Sequence, residues 1–133
     1  MKLFVYGTLR EGCKANDTFL KDFIIKKEQG YVKGSLHNLT NRSFPALIDG
    51  DQMIVGDVYT LSDDFDFTLM DEYELYYGEG NKNNLYNRVL IDIYDEQCNF
   101  KESASAYMYN LKREHSIDEL GPIIKSNDFF FFF

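Results

Sequence analysis

Tryptophan is absent from this 133-residue chain, and proline, cysteine and histidine occur only twice each. Cys13 and Cys98 stand far apart, with neither the density of a disulfide scaffold nor the paired spacing of a zinc site. They point to a reducing compartment, and a cytoplasmic protein is expected. His37 and His115 are isolated as well, so no metal site is expected. Long apolar runs are missing: nothing approaches the roughly 20 residues that span a bilayer. The N-terminus reaches Gly7 and Arg10 before a signal-peptide core forms, so no signal peptide is expected. Positive charge is scarce, with 14 basic residues against 22 acidic ones, a net charge of -8. That balance disfavours nucleic acid and anionic membranes as partners. A small anion can still bind, because a few backbone donors outweigh the global field at short range. Walker, dinucleotide-binding and G-x-S-x-G patterns are absent too.

What is abundant is aromatic: Tyr 10 and Phe 12, with 44% hydrophobic residues overall. Such a chain supports one core, rich in rings and tyrosine hydroxyls. A single domain over residues 1–133 is expected. It includes a phenylalanine-rich tail at 129–133 that either docks against the domain or forms an exposed, adhesive end.

Residues 3–6 are apolar and β-prone and stop at Gly7, which reads as a first strand lying wholly in the core. Phe19, Leu20 and Phe23 then recur at helical spacing, with Asn16 as a cap. Residues 30–61 are strand-dominated, with segments at 31–36, 46–48 and 53–61. Asp49-Gly50-Asp51 signals a turn, and Gly34 and Gly56 signal bulges or bends. Phe65, Leu69 and Tyr73 define the inward stripe of a second helix over 63–74, capped by Ser62 or Asp63. A polar loop follows to residue 85. Residues 86–94 and 103–109 read as an antiparallel hairpin, and a helical turn begins near Ser116 and ends before Gly121-Pro122. The order fits an α+β fold with a curved, mostly antiparallel or mixed sheet.

Two places carry chemistry. The strand ending in Tyr6-Gly7-Thr8-Leu9 puts consecutive backbone N–H groups at a sheet edge, where Gly7 permits a close approach. Such a nest holds a carboxylate; the same residues also read as an ordinary strand-to-helix turn. Glu74, at the end of the second helix, borders its buried face. A carboxyl in a partly apolar cleft is raised in pKa and suits proton transfer, although Glu74 also reads as a surface glutamate. Asp71 and Glu72 read as surface charges. Glu79, flanked by glycines, is a rival carboxylate on a less rigid support.

Several segments together resemble the gamma-glutamylcyclotransferase-like superfamily, also described as AIG2-like or YtfP-like. Val5-Tyr6-Gly7-Thr8-Leu9-Arg10-Glu11-Gly12 is similar to its V-Y-G-[ST]-L-x-x-G signature. Met70-Asp71-Glu72-Tyr73-Glu74 matches L-D-x-[FYL]-E with Met for Leu. Leu85-Tyr86-Asn87-Arg88 matches L-Y-x-R, and residues 105–110 match the later A-x-x-Y-x-Y-N strand. Residues 124–129 are similar to I-x-S-G-D-W, with Asn127 and Phe129 for Gly and Trp. Leu75 stands where Gly usually follows the glutamate.

The resemblance implies a small mixed, mostly antiparallel β-barrel with flanking short helices around one pocket. It implies that Tyr6, Gly7, Thr8 and Leu9 bind a γ-glutamyl group and that Glu74 is the general acid and base. Tyr86, Tyr109 and Arg88 join the substrate-binding set, with Tyr107 a further pocket hydroxyl. Arg88 otherwise holds the Glu74 loop, pairs with an acidic neighbour or is a strand-surface cation. The implied reaction cyclises the γ-glutamyl group of an amine, amino acid or isopeptide to 5-oxoproline. It needs no cofactor, because five-membered closure is intramolecular. The implied partner is that small molecule, with the protein a monomer or weak homo-oligomer. A noncatalytic binding module for a small carboxylate or amine, or an interaction domain using the aromatic tail, are the other readings.

Overall fold

In a computed structural model of the chain, residues 1–40, 42 and 44–128 are described; the tail at 129–133 lies outside them. The first strand, β1 (Lys2–Val5), is followed by helix α1 (Lys14–Phe19) and a 3-10 turn at Lys21–Phe23. Two long strands, β2 (Ile24–Leu39) and β3 (Pro45–Leu61), lead to helix α2 (Thr68–Tyr73). Strands β4 (Tyr86–Tyr94) and β5 (Phe100–Tyr109) form a hairpin, and helix α3 (Ser116–Glu119) runs directly into β6 (Leu120–Ile123).

The strands corrected one expectation. The fold is α+β, but its sheet is mixed, six-stranded and ordered β3-β1-β5-β4-β2-β6, with an additional β2–β3 pairing, rather than a mostly antiparallel barrel. Two junctions explain the difference. β1 lies parallel to β5 through the single pair Leu3↔Ser105, and β2 meets β4 through Tyr31↔Tyr94 alone. A barrel wall requires continuous ladders at every junction, and these two are single bridges.

β1 is buried on both faces, as its unbroken apolar run requires. Leu3 and Val5 belong to one core cluster, together with Tyr59, Met70, Tyr86 and Tyr107. Phe4 and Tyr6 belong to another, with Val32, Leu47, Ile54 and Ile93. At Gly56, an added Cβ would lie 2.3 Å from the Val5 carbonyl oxygen and 2.6 Å from the Phe4 ring. Glycine there lets β1 lie close against β3.

Asp49-Gly50-Asp51 forms a bulge instead of a turn. The β2–β3 register jumps from Gly34↔Gln52 to Ser35↔Ile48, so three residues of β3 are looped out and both strands continue. Gly34 and Gly50 allow this: a Cβ on Gly50 would sit 2.7 Å from the Gly34 carbonyl carbon. Asn16 is a buried residue inside α1 and not its cap. Helix α2 begins at Thr68, later than its apolar spacing suggests. Asp66 accepts hydrogen bonds from the Thr68 N–H at 2.9 Å and its hydroxyl at 2.7 Å. Before that point Phe65 packs edge-on against both Phe23 and Phe67. Those contacts fix residues 65–67 outside the helix and leave Leu69 66% exposed, off the inward face.

Candidate functional site

Just after β1 the chain turns tightly. Arg10 N–H donates to the Gly7 carbonyl at 3.0 Å, and Asn16 Nδ2 donates to the Leu9 carbonyl at 2.8 Å. Among the described residues, the N–H groups of Thr8 and Leu9 donate to nothing. Unpaired backbone donors are rare in folded proteins unless water or a ligand accepts from them. Both residues, with Tyr6 and Gly7, line a narrow cleft of about 30 Å³.

Glu74 enters the same cleft from the end of α2. Tyr76 N–H donates to the Asp71 carbonyl at 2.8 Å and Leu75 N–H to the Glu72 carbonyl at 3.1 Å. These two bonds make a Schellman ending, with Glu74 as the last helical-side residue and Leu75 in the left-handed position. Leu75 has φ 54°, which explains why a glycine is natural there and why leucine carries about 1 kcal/mol of backbone strain. The motif fixes the direction in which Glu74 leaves the helix.

The Glu74 carboxylate has no hydrogen-bond partner among the described residues. Burial, and then the nearby Asp71 charge, push its pKa from the ordinary 4.5 up to about 8. The residue itself is half-buried: protein surrounds the carboxylate on the cleft wall, and what area it keeps opens into a small cleft. A carboxyl that titrates near neutrality can take up and return a proton at physiological pH.

Tyr6, Tyr86 and Tyr107 complete the polar lining, and Phe44, Pro45 and Tyr73 supply apolar surface. The tyrosine hydrogen bonds run one way. Tyr6 Oη donates to the Tyr107 carbonyl at 2.6 Å, Tyr86 Oη donates to the Pro45 carbonyl, and Tyr107 Oη donates to Asp71 Oδ1 at 2.6 Å. Carbonyl and carboxylate oxygens cannot donate, so all three hydroxyl hydrogens are committed and only oxygen lone pairs are left. Burial raises the pKa of each phenol, and Glu74 raises it further, so the three stay neutral. The cleft therefore carries backbone donors on the Thr8–Leu9 side and acceptors at Glu74 and the tyrosines. That polarity matches the zwitterionic end of an α-amino acid.

Tyr6, Gly7, Thr8, Leu9, Tyr86 and Glu74 come together in this cleft; Arg88 and Tyr109 do not line it. Arg88 Nε lies 3.4 Å from Asp71 Oδ1, with the guanidinium 4.1 Å over the Phe67 ring and 5.6 Å from Tyr76. It braces the carboxylate that Tyr107 also holds, so Asp71 is a linked residue and not a free surface charge. Tyr109 Oη donates to the Ser116 carbonyl at 2.8 Å and anchors α3. Glu79 lines a separate groove with Tyr76, Lys82 and Lys112. Phe44, Pro45 and Tyr73 carried no signal beyond the position of Tyr73 beside Glu74. His37 is structural: its Nδ1 lies 3.0 Å from the Gly121 carbonyl and its Nε2 3.0 Å from Ser35 Oγ. Among the described residues, no three His, Cys, Asp or Glu side chains gather to hold a metal ion. No helix among them is long and apolar enough to cross a membrane.

Comparison with known proteins places this α+β scaffold in a family. The gamma-glutamyl cyclotransferase, AIG2-like family model matches residues 3–130, and the chain belongs to that family. It is 33% identical over 113 residues to the gamma-L-glutamyl-butirosin B gamma-glutamyl cyclotransferase of Niallia circulans, which covers 81% of this chain and 66% of that relative. The match thus spans just under two thirds of the relative's length. Two solved structures share the fold. An AIG2-like protein from Mus musculus has a TM-score of 0.66 and 16% identity, covering 94% of this chain and 86% of the other. An uncharacterized protein from Pyrococcus horikoshii has a TM-score of 0.60 and 21% identity, covering 97% and 89%.

Proposed function

We propose that the protein is a cofactor-independent cyclotransferase that converts the γ-glutamyl group of an amine, amino acid or isopeptide into 5-oxoproline. One observation carries this reading: a hydrogen-bond-free carboxylate with a pKa pushed up to about 8 shares a cleft with two unpaired backbone N–H groups. Family membership and the printed activity of the Niallia circulans relative support it.

In this reading the substrate's α-carboxylate accepts from Thr8 and Leu9 N–H, with Gly7 allowing close approach. The α-ammonium faces Glu74 and the lone pairs of Tyr6, Tyr86 and Tyr107. Glu74 takes one ammonium proton, and the freed amine lone pair attacks the γ-carbonyl carbon. The C–N bond to the leaving group then breaks as Glu74 returns its proton to the departing nitrogen, and the regenerated Glu74 carboxylate takes the second proton from the ring nitrogen and passes it to the released amine. Two of the three ammonium protons end on the leaving amine, one stays on the ring nitrogen, and no proton is exchanged overall. Because the tyrosine hydrogens are committed elsewhere, the phenols do not donate to the oxyanion. Arg88 and Tyr109 act behind the site, by bracing Asp71 and α3. Leaving-group choice falls to the surfaces beyond Tyr73 and the 76–85 loop.

The test is 5-oxoproline release from a panel of γ-glutamyl amines, amino acids and peptides. Turnover of at least one compound, lost in Glu74→Gln, is expected. Absence of turnover across the panel, with binding of a small carboxylate intact in both proteins, would replace this reading with that of a binding module.

A further inference from the structure

Arg10 directly follows the loop but does not line the cleft, and it is 7% exposed. Its Nη1 donates to Asp128 Oδ1 at 2.6 Å and its Nε to Asp57 Oδ2 at 3.4 Å. Asp57 sits on β3 opposite Val5, the last residue of β1. Asp128 belongs to a segment 118 positions away in sequence. That segment is itself tied to β3: Val55 N–H donates to the Asn127 carbonyl at 2.9 Å, and Asn127 Nδ2 donates to the Met53 carbonyl at 3.0 Å.

Tyr59 completes the arrangement. Its hydroxyl accepts from Glu11 N–H at 2.7 Å and Asn16 Nδ2 at 3.1 Å, and it donates to Asp57 Oδ2 at 3.3 Å. Backbone groups of Gly7, Leu9, Arg10 and Glu11 are thereby fixed, while the Thr8 and Leu9 N–H groups are left open. A buried ionic cluster is a poor way to add stability, because desolvating its charges offsets most of their attraction, and apolar side chains brace a loop as well. What an arginine fork supplies is direction.

We infer that Arg10, held between Asp57 and Asp128, is a positioning residue that sets the placement of the Thr8 and Leu9 amides, and that residues 124–128 belong to the support of the site. This rests on the proposed substrate role of the loop. Arg10 never touches the reacting atoms; it decides where the donors stand.

The test combines site-resolved amide hydrogen exchange with steady-state kinetics on the full chain, comparing the parent with Asp128→Asn, Arg10→Gln and Arg10→Lys. In Asp128→Asn and Arg10→Gln, exchange at the Arg10 and Glu11 amides should rise at least tenfold, while β4–β5 amides keep their protection. KM should rise at least tenfold, with the pH inflection of kcat unmoved, because the surroundings of Glu74 are unchanged. Arg10→Lys, which keeps the charge but not the fork, should fall between. Should Arg10→Gln not fold, Asp128→Asn carries the comparison. Loop exchange and KM within twofold of the parent in folded Asp128→Asn would overturn the inference, as would loosening spread equally over β4 and β5. If the parent turns over no γ-glutamyl compound, the proposed function fails while the exchange data still decide whether the clamp orders the loop.

Discussion

Replacing Glu74 with glutamine should stabilise the protein at alkaline pH while abolishing its chemistry. The folded state holds this carboxyl at about 8 against an ordinary 4.5. Between those values the folded chain binds a proton that the unfolded chain has released, so stability falls as pH rises. The contribution is fully present below about pH 4.5 and is lost once pH passes 8. At about 1.4 kcal/mol per pH unit, the span corresponds to a ceiling of about 5 kcal/mol. Glu74 is half-buried, and water in the cleft solvates its charge, so about 2–3 kcal/mol is expected. Glutamine keeps the shape and carries no charge at any pH. Melting temperatures of the two proteins should coincide near pH 5, and the variant should melt higher at pH 9 by on the order of 10 °C. Differential scanning calorimetry from pH 5 to 9 reads the difference directly, since all other titrating groups are common to both chains. Parallel curves across that range would refute the claim that the Glu74 charge is poorly solvated in the fold.

Asp71→Asn should move the inflection of kcat/KM to lower pH, because the second cause of the raised Glu74 pKa disappears while the Tyr107 hydroxyl keeps an oxygen acceptor; a pH–rate profile checks this. Tyr109→Phe should cost about 1 kcal/mol of stability through the lost bond to Ser116 and leave KM unchanged. Gly56→Ala should destabilise by about 3 kcal/mol, because the new methyl meets the Val5 carbonyl and Phe4 ring of β1; urea unfolding gives the value.

The local parts of this molecule were the legible ones. The apolar run of β1, the β4–β5 hairpin and the turn at Ser116 follow from residue pattern alone, and the contiguous Tyr6–Leu9 loop could be singled out as a unit. Glu74 stood out because of its place at a helix end. What escaped were features decided by distant residues. Asp49-Gly50-Asp51 has the composition of a turn, yet β2 continues alongside it and converts it into a bulge. Phe65 carries helical spacing, yet its packing on Phe23 and Phe67 delays the helix. Asn16 resembled a cap until Leu9 and Tyr59 claimed its amide. The parallel approach of β1 to β5 joins residues over a hundred positions apart and leaves no mark on either strand. Arg88 and Tyr109 sit in motifs that suggest a pocket, but Asp71 and the Ser116 carbonyl hold them behind it. The expectation for residues 129–133 lies outside the described residues.

The central claim is that Glu74 moves the proton in a cyclisation. Its most direct test is the pH dependence of 5-oxoproline release from one γ-glutamyl compound that the protein turns over, in the parent and in Glu74→Gln. The account predicts release that rises with pH through an inflection near 8 in the parent and is absent in the variant. Release that persists in Glu74→Gln, or an inflection in the ordinary carboxylate range, would contradict it.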